Sequence, residues 1–194
     1  YIETTVSVMG MKDVLMTYTV YPDGKIDIMH KGTPTMVDMV RFGCMLTMAR
    51  EFDKVKWYGR GPHETYFDRK TGGKITLHEK SVADLEHHYM RPQENANRTD
   101  VRFVEFRNKE GKGIRFEAMG ETPICFSSWH YTQEELQKAK HIHQLPHKDI
   151  TTVNIDLNSI GVGGDMPGDA QVRDKYKLKP GKVYTYTFRI QPIK

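Results

Sequence analysis

Hydrophobic and polar residues alternate with a period of two in several stretches of this chain, the pattern of half-buried β-strands. Residues 4–9, 13–20 and 25–31 read as strands, and Pro22-Asp23-Gly24 supplies a turn between the last two. Ile114, Phe116 and Ala118 alternate with Arg115 and Glu117, which predicts a strand with one buried face and one wet face. Residues 101–107 precede it across Asn108-Lys109-Glu110-Gly111, a hairpin loop by composition. Val153, Ile155 and Leu157 alternate with Asn154 and Asp156 in the same way, so these two polar residues are expected in water. Near the C-terminal end, Tyr184, Tyr186, Phe188 and Ile190 take one side and Thr185, Thr187 and Arg189 the other. Residues 36–48 are densely apolar, interrupted only by Asp38, Arg41, Gly43 and Thr47, which suits a central strand.

Only one segment reads as a helix. Thr132 and Glu135 have capping-box spacing, and good helix formers follow through Lys140. There is no βαβ rhythm, so one short helix among many strands predicts an all-β fold, a large antiparallel sandwich. No linker, repeat or low-complexity tract divides the chain, and residues 1–194 read as one domain.

One stretch departs from simple alternation: Trp57-Tyr58-Gly59-Arg60-Gly61-Pro62-His63-Glu64-Thr65-Tyr66-Phe67-Asp68-Arg69. Gly59, Gly61 and Pro62 predict a bent path, and the flanking aromatics predict that it is pinned against a core. The rest of the chain reads as a scaffold around this turn and a second glycine-rich loop, Gly161-Val162-Gly163-Gly164-Asp165.

Composition narrows the function classes. The 194 residues carry a net charge of +4 with both signs interspersed, so neither nucleic acid nor an anionic membrane is implied as a partner. No apolar run is long enough to span a bilayer, and no signal peptide is visible. Tyr1 already lies in a strand-like pattern, which suggests an excised piece of a longer polypeptide. Cys44, in an apolar run, reads as a buried free thiol; with Cys125 the only other cysteine, the redox compartment stays open.

Several constellations could carry chemistry. His130, His141, His143 and His147 lack the spacing of a strong metal signature and read mainly as exposed or hydrogen-bonded side chains. Glu64, Asp68, Glu94, Glu121 and Asp165 sit in turn-rich places where a glycosidase pair could arise, but the commoner role there is accepting hydrogen bonds from loop amides. There is no G-x-S-x-G elbow, and residues 161–165 are not a dinucleotide fingerprint. Aromatics beside Asp, Asn, Arg and His at 57–69, 89–98 and 129–131 suit sugar binding, although aromatics in β proteins are more often core.

Five motifs together resemble the C-terminal domain of glycoside hydrolase family 2 β-galactosidases, the small-chain or fifth domain. They are Trp57-Tyr58-Gly59-Arg60-Gly61-Pro62-His63-Glu64 with Asp68-Arg69, then Arg91-Pro92-Gln93-Glu94-Asn95, then His130-Tyr131-Thr132 with Leu136 following. Asn154-Ile155-Asp156 and Gly161-Val162-Gly163-Gly164-Asp165 complete the set. The resemblance implies a supersandwich related to galactose mutarotases, packed against a catalytic barrel that lies earlier in the parent chain. On that barrel, not here, would sit the two catalytic glutamates and the magnesium ligands of a retaining β-galactosidase. The resemblance makes Gly163, Gly164, Asp165, Met166 and Gly168 the rim of the sugar pocket, with Asp165 the main polar contributor. In well-known relatives a tryptophan after the Gly-Gly-Asp motif stacks on the substrate; here Gly168 stands in its place, which leaves the parent's β-glycoside open. Trp57, Gly59, Arg60, Gly61, Pro62, His63, Glu64, Arg91, Pro92, Glu94 and Asn95 would be architectural, with Arg60, His63 and Glu64 fixing loops or an interface. The fragment alone would be non-catalytic, and a cut sandwich could self-associate through exposed edges. Two alternatives stand beside this: a free-standing aldose mutarotase-like epimerase, pairing His130 or His143 with Glu94 or Glu121, and a non-catalytic carbohydrate-binding module. A cytoplasmic or a periplasmic parent would fit equally.

Overall fold

Most alternating stretches become strands that bury an apolar row between two facing sheets, but residues 4–9 are strand only as far as Val6, and the strand Ile2–Val6 is exposed along its whole length. The computed structural model describes residues 1–37, 39–146, 148–163 and 171–194. In chain order the strands are β1 Ile2–Val6, β2 Met11–Val20, β3 Ile26–Pro34, β4 Arg41–Ala49, β5 Lys54–Gly61 and β6 Lys74–Ser81. There follow β7 Arg98–Val101, β8 Phe103–Arg107, β9 Gly113–Ala118, β10 Ile124–Trp129, β11 Ile150–Ser159 and β12 Tyr184–Ile193. Helix α1, Gln133–Lys138, stands between β10 and β11. The larger sheet has the order β1-β2-β3-β12-β9-β8-β5-β6 and the smaller β4-β11-β10-β7. The strand pairings among the described residues are antiparallel.

The core lies between the sheets. Phe106, Phe116 and Phe188 of the larger sheet face Phe126, Val153 and Ile155 of the smaller, all fully buried. Their rings meet edge-on, Phe106 with Phe116 at 6.1 Å and with Phe126 at 6.3 Å between centroids. Each buried phenyl contributes about 1.5–3 kcal/mol by removal from water, before any specific ring geometry.

Turn and cap chemistry follow the sequence. Gly24 takes a φ of +85° in the β2–β3 hairpin, where a side chain would be strained. Asn108 Oδ1 accepts from the Glu110 and Lys112 amides and shapes the β8–β9 loop. Thr132 Oγ1 accepts from the Glu135 amide at 3.2 Å while Glu135 Oε2 accepts from the Thr132 amide at 2.8 Å, the reciprocal capping box. The helix ends at Lys138, slightly short of the expected Lys140, and buries Leu136.

Three features differ from the sequence reading. The apolar run 36–48 becomes a strand only from Arg41, and β4 is an edge, not a central strand. Its apolar density does not mean two-sided burial, since Met36, Val37, Val40 and Met45 are exposed. Second, Asn154 and Asp156 are fully buried: Asn154 Nδ2 donates to Ser127 Oγ at 3.0 Å, and Arg41, itself paired with Glu94, lies against Asp156. Third, β5 carries Trp57 to Gly61 straight through the larger sheet, paired with β6 and β8 on either side. Its glycines hide the alternation, and β10 hides it too because all six of its residues are buried. No helix among the described residues is long and apolar enough to cross a membrane.

Candidate functional site

The stretch 57–69 begins in the sheet. Trp57 is fully buried, donates from Nε1 to the Arg60 carbonyl at 3.0 Å and stacks on His78 at 4.9 Å. Gly59 and Gly61 do not bend the chain; they clear space. A Cβ on Gly59 would come within 2.7 Å of Val101, and one on Gly61 within 2.8 Å of the Trp57 ring. The chain bends only beyond β5, at Pro62 and His63. His63 is exposed and makes no side-chain hydrogen bond among the described residues.

Charged side chains then hold the turn. Arg60 Nη1 donates to the Lys70 carbonyl at 3.1 Å and the Gly73 carbonyl at 2.8 Å, and its guanidinium pairs with Asp100. Lys70 Nζ reaches the same carboxylate at 3.0 Å. Burial pushes the Asp100 carboxyl up, but the hydrogen bonds from Arg60 and Lys70 outweigh it and hold the group below the ordinary range. Asp100 sits at a φ of +54°, a conformation that such close anchoring can sustain. Glu64 is buried: Oε2 accepts from the Ala96 amide at 2.9 Å, and Oε1 takes Arg69 and the Tyr89 hydroxyl. Arg98 is buried as well, its guanidinium met by the carbonyls of Ala96, Pro62 and Leu85, and burial pulls it down to about 10.

Asp68 joins the two glycine-bearing segments that stand out in the sequence. Its Oδ1 accepts from the Val162 amide at 3.0 Å and its Oδ2 from the Gly163 amide at 2.8 Å. The same carboxylate fills the space a Cβ on Gly161 would need, so only glycine lets the loop come this close. Gly163 is therefore held at the end of β11 by the motif of residues 57–69. Gly164, Asp165, Met166 and Gly168 lie outside the described residues.

A second assembly links the motifs at 91–95 and 154–156. Arg91 is exposed and Pro92 is buried, while Asn95 accepts at Oδ1 from the His87 amide and donates from Nδ2 to the Gln93 carbonyl. Glu94 pairs with Arg41 and accepts from Gln133 Nε2 at 3.2 Å. Arg41 Nε lies 3.1 Å from Asp156 Oδ2, an ion pair whose N–H does not point along a hydrogen-bond line. Burial pushes the Asp156 carboxyl up to about 7; Arg41 opposes this and Glu94 adds to it. The sequence reading missed this assembly. Glu94 and Asp156 each stood in a motif and Arg41 interrupted the apolar run 36–48, but nothing along the chain joined the three.

The remaining candidates are dispersed. His130 is buried, its Nδ1 3.0 Å from the Ile150 carbonyl and its Nε2 3.1 Å from Asp53, so its carboxylate neighbour is Asp53 and not Glu94 or Glu121. His141 and His143 stack on each other at 5.5 Å, while His147 lies outside the described residues. Glu121 is exposed. Trp57, Tyr66, Trp129 and Tyr131, offered by composition as sugar platforms, are all buried in the packing. Cys44 and Cys125 are free thiols, and burial pushes Cys44 up to about 11.

Residues 2–190 match the family described as the beta galactosidase small chain. The chain is 39% identical over 180 residues to a β-galactosidase of Priestia megaterium, a match that covers 92% of this chain and 17% of that one. It is 34% identical over 186 residues to a β-galactosidase of Halalkalibacterium halodurans, covering 93% of this chain and 18% of the relative. The chain thus spans under a fifth of the length of these relatives. Among solved structures, a galactose mutarotase related enzyme from Lactobacillus acidophilus aligns with a TM-score of 0.44 and 9% identity, over 93% of this chain and 61% of that one. With a match that runs through all five motifs and nearly the whole length, the chain belongs to the β-galactosidase small-chain family.

Proposed function

We propose that this chain is the C-terminal β-sandwich of a β-galactosidase-like retaining glycosidase, packing against a catalytic barrel elsewhere in the parent polypeptide and helping to close its sugar pocket. The observation that carries this reading is the family match over residues 2–190, in relatives whose length is mostly outside the matched region. The Asp68 clamp on Val162 and Gly163 supports a rim role for residues 161–163, because it fixes that backbone by two charge-assisted hydrogen bonds. Retaining hydrolysis needs two carboxylates about 5–5.5 Å apart and free to act on the sugar. Glu64 and Glu94 are instead engaged by loop amides and side chains, so this reading leaves the acid/base and the nucleophile, with any magnesium, to the barrel.

A domain exchange tests the proposal. The segment of the Priestia megaterium β-galactosidase that matches this chain is replaced by residues 1–194, and hydrolysis of a nitrophenyl β-galactoside is compared with that of a variant lacking the segment. The expected result is that the exchange restores activity which the deletion abolishes, while the 194-residue chain alone turns over no substrate. A folded exchange protein as inactive as the deletion, or turnover by the chain alone, would overturn it.

A further inference from the structure

A cavity of about 240 Å³ opens between the turn after β5 and the ends of β10, β11 and β12. Phe67, Asp100, Thr122, Leu157, Asn158 and Tyr184 line it. Phe67 directly precedes Asp68, so the cavity borders the turn that grips residues 161–163.

The lining has a definite chemistry. Phe67 and Tyr184 bring two aromatic rings, the surfaces on which the apolar C–H face of a sugar packs. Tyr184 is fixed in place, since its hydroxyl accepts from the Lys179 amide at 2.8 Å. Phe67 is steadied by the Lys70 ammonium 5.0 Å from its ring centre. Asp100 is kept ionised by Arg60 and Lys70 and presents a carboxylate, an acceptor for hydroxyl groups. Asn158 lines the cavity and makes no side-chain hydrogen bond among the described residues, and its buried Oδ1 has no partner there. Thr122 is exposed and adds a hydroxyl. Arg60 and Lys70 match the Asp100 charge, so the lining presents no bare negative charge, and its polar groups disfavour a purely apolar guest. The volume falls below the 300 Å³ or more of pockets for drug-sized ligands, a scale that suits one six-membered sugar ring.

We propose that this cavity is a monosaccharide subsite, which takes one pyranose ring against Phe67 and Tyr184 and hydrogen-bonds its hydroxyls through Asn158 and Asp100. The choice of a galactoside as first ligand rests on the proposed function; the subsite itself rests on the cavity.

The test is an amide-resolved NMR titration of the 194-residue chain with methyl β-galactoside and, separately, methyl β-glucoside. Saturable shifts centred on Phe67, Leu157, Asn158 and Tyr184 are expected, with an affinity weakened about tenfold in Phe67→Ala and in Thr122→Ala/Asn158→Ala, the latter sparing the core. A Gln137→Ala variant, in the separate cavity beside α1, is expected to bind as the parent does. Absence of saturable binding at millimolar sugar would overturn the proposal, as would shifts centred elsewhere or unchanged affinity in both cavity variants that keep a dispersed, folded spectrum. Preference for the glucoside would support the subsite while counting against a galactoside parent. An active domain exchange with no sugar binding by the chain would sink the subsite alone and leave the proposed function standing.

Discussion

The two faces of β11 are equally dry and chemically opposite. On the inner face Val153 and Ile155 pack among Phe126 and its neighbours, and burial there is favourable for each group taken singly. On the outer face Asn154 and Asp156 are buried to the same extent, yet Asp156 costs free energy unless Arg41 accompanies it. Inner-face stability is therefore spread over many weak contacts and indifferent to pH. Outer-face stability is concentrated in one shared cation, because Arg41 serves both Asp156 and Glu94. Burial by itself is thus a poor guide to what a residue contributes.

The most severe break of this contrast is Arg41→Gln, which strands two carboxylates. It is expected to cost about 3–5 kcal/mol in urea unfolding above pH 7, and less as acid neutralises Asp156. Ile155→Ala on the opposite face is expected to cost about 2–5 kcal/mol through lost contacts and a residual cavity. That cost should be the same at acid and neutral pH, and a pH-dependent cost would dissolve the distinction between the faces.

Asp156→Asn sharpens it further. The folded-state pKa of Asp156 is raised, from 3.8 to about 7, so the unfolded chain releases its proton first and stability falls as pH rises from about 4 to about 7. The full gap corresponds to at most about 4 kcal/mol, and in Asp156→Asn this part of the decline should vanish from a series of Tm values across that range. A profile identical to that of the parent chain would show that Asp156 is ionised throughout. The smallest effect belongs to Asp68→Ala, which frees a loop without opening the core. Global stability should drop by about 1 kcal/mol or less, whereas hydrogen-exchange protection at the Val162 and Gly163 amides should be lost.

Local chemistry was legible in the chain from the start. The Thr132–Glu135 capping box, the Gly24 hairpin and the Asn108 loop were readable because each involves groups a few residues apart, whose geometry the backbone settles. The sandwich was readable from the alternation of its longer strands, and the family from its motifs. Gly59 and Gly61 misled, since a glycine that makes room for a distant ring looks the same in sequence as one that bends the chain. Asn154 and Asp156 misled for a related reason. Alternation reports which residues differ in polarity along a strand, not whether another segment closes over the polar side.

The sequence by itself therefore determined the strands with regular alternation, their turns, the helix cap and the family. Only the tertiary structure decided that Asp68 grips the backbone of residues 161–163, that Arg41 joins Glu94 to Asp156, and that Phe67, Asn158 and Tyr184 border one cavity. Those partners lie from 26 to more than 110 positions apart in the chain. Which distant groups meet depends on sheet order and register, and these follow from the packing of both sheets at once.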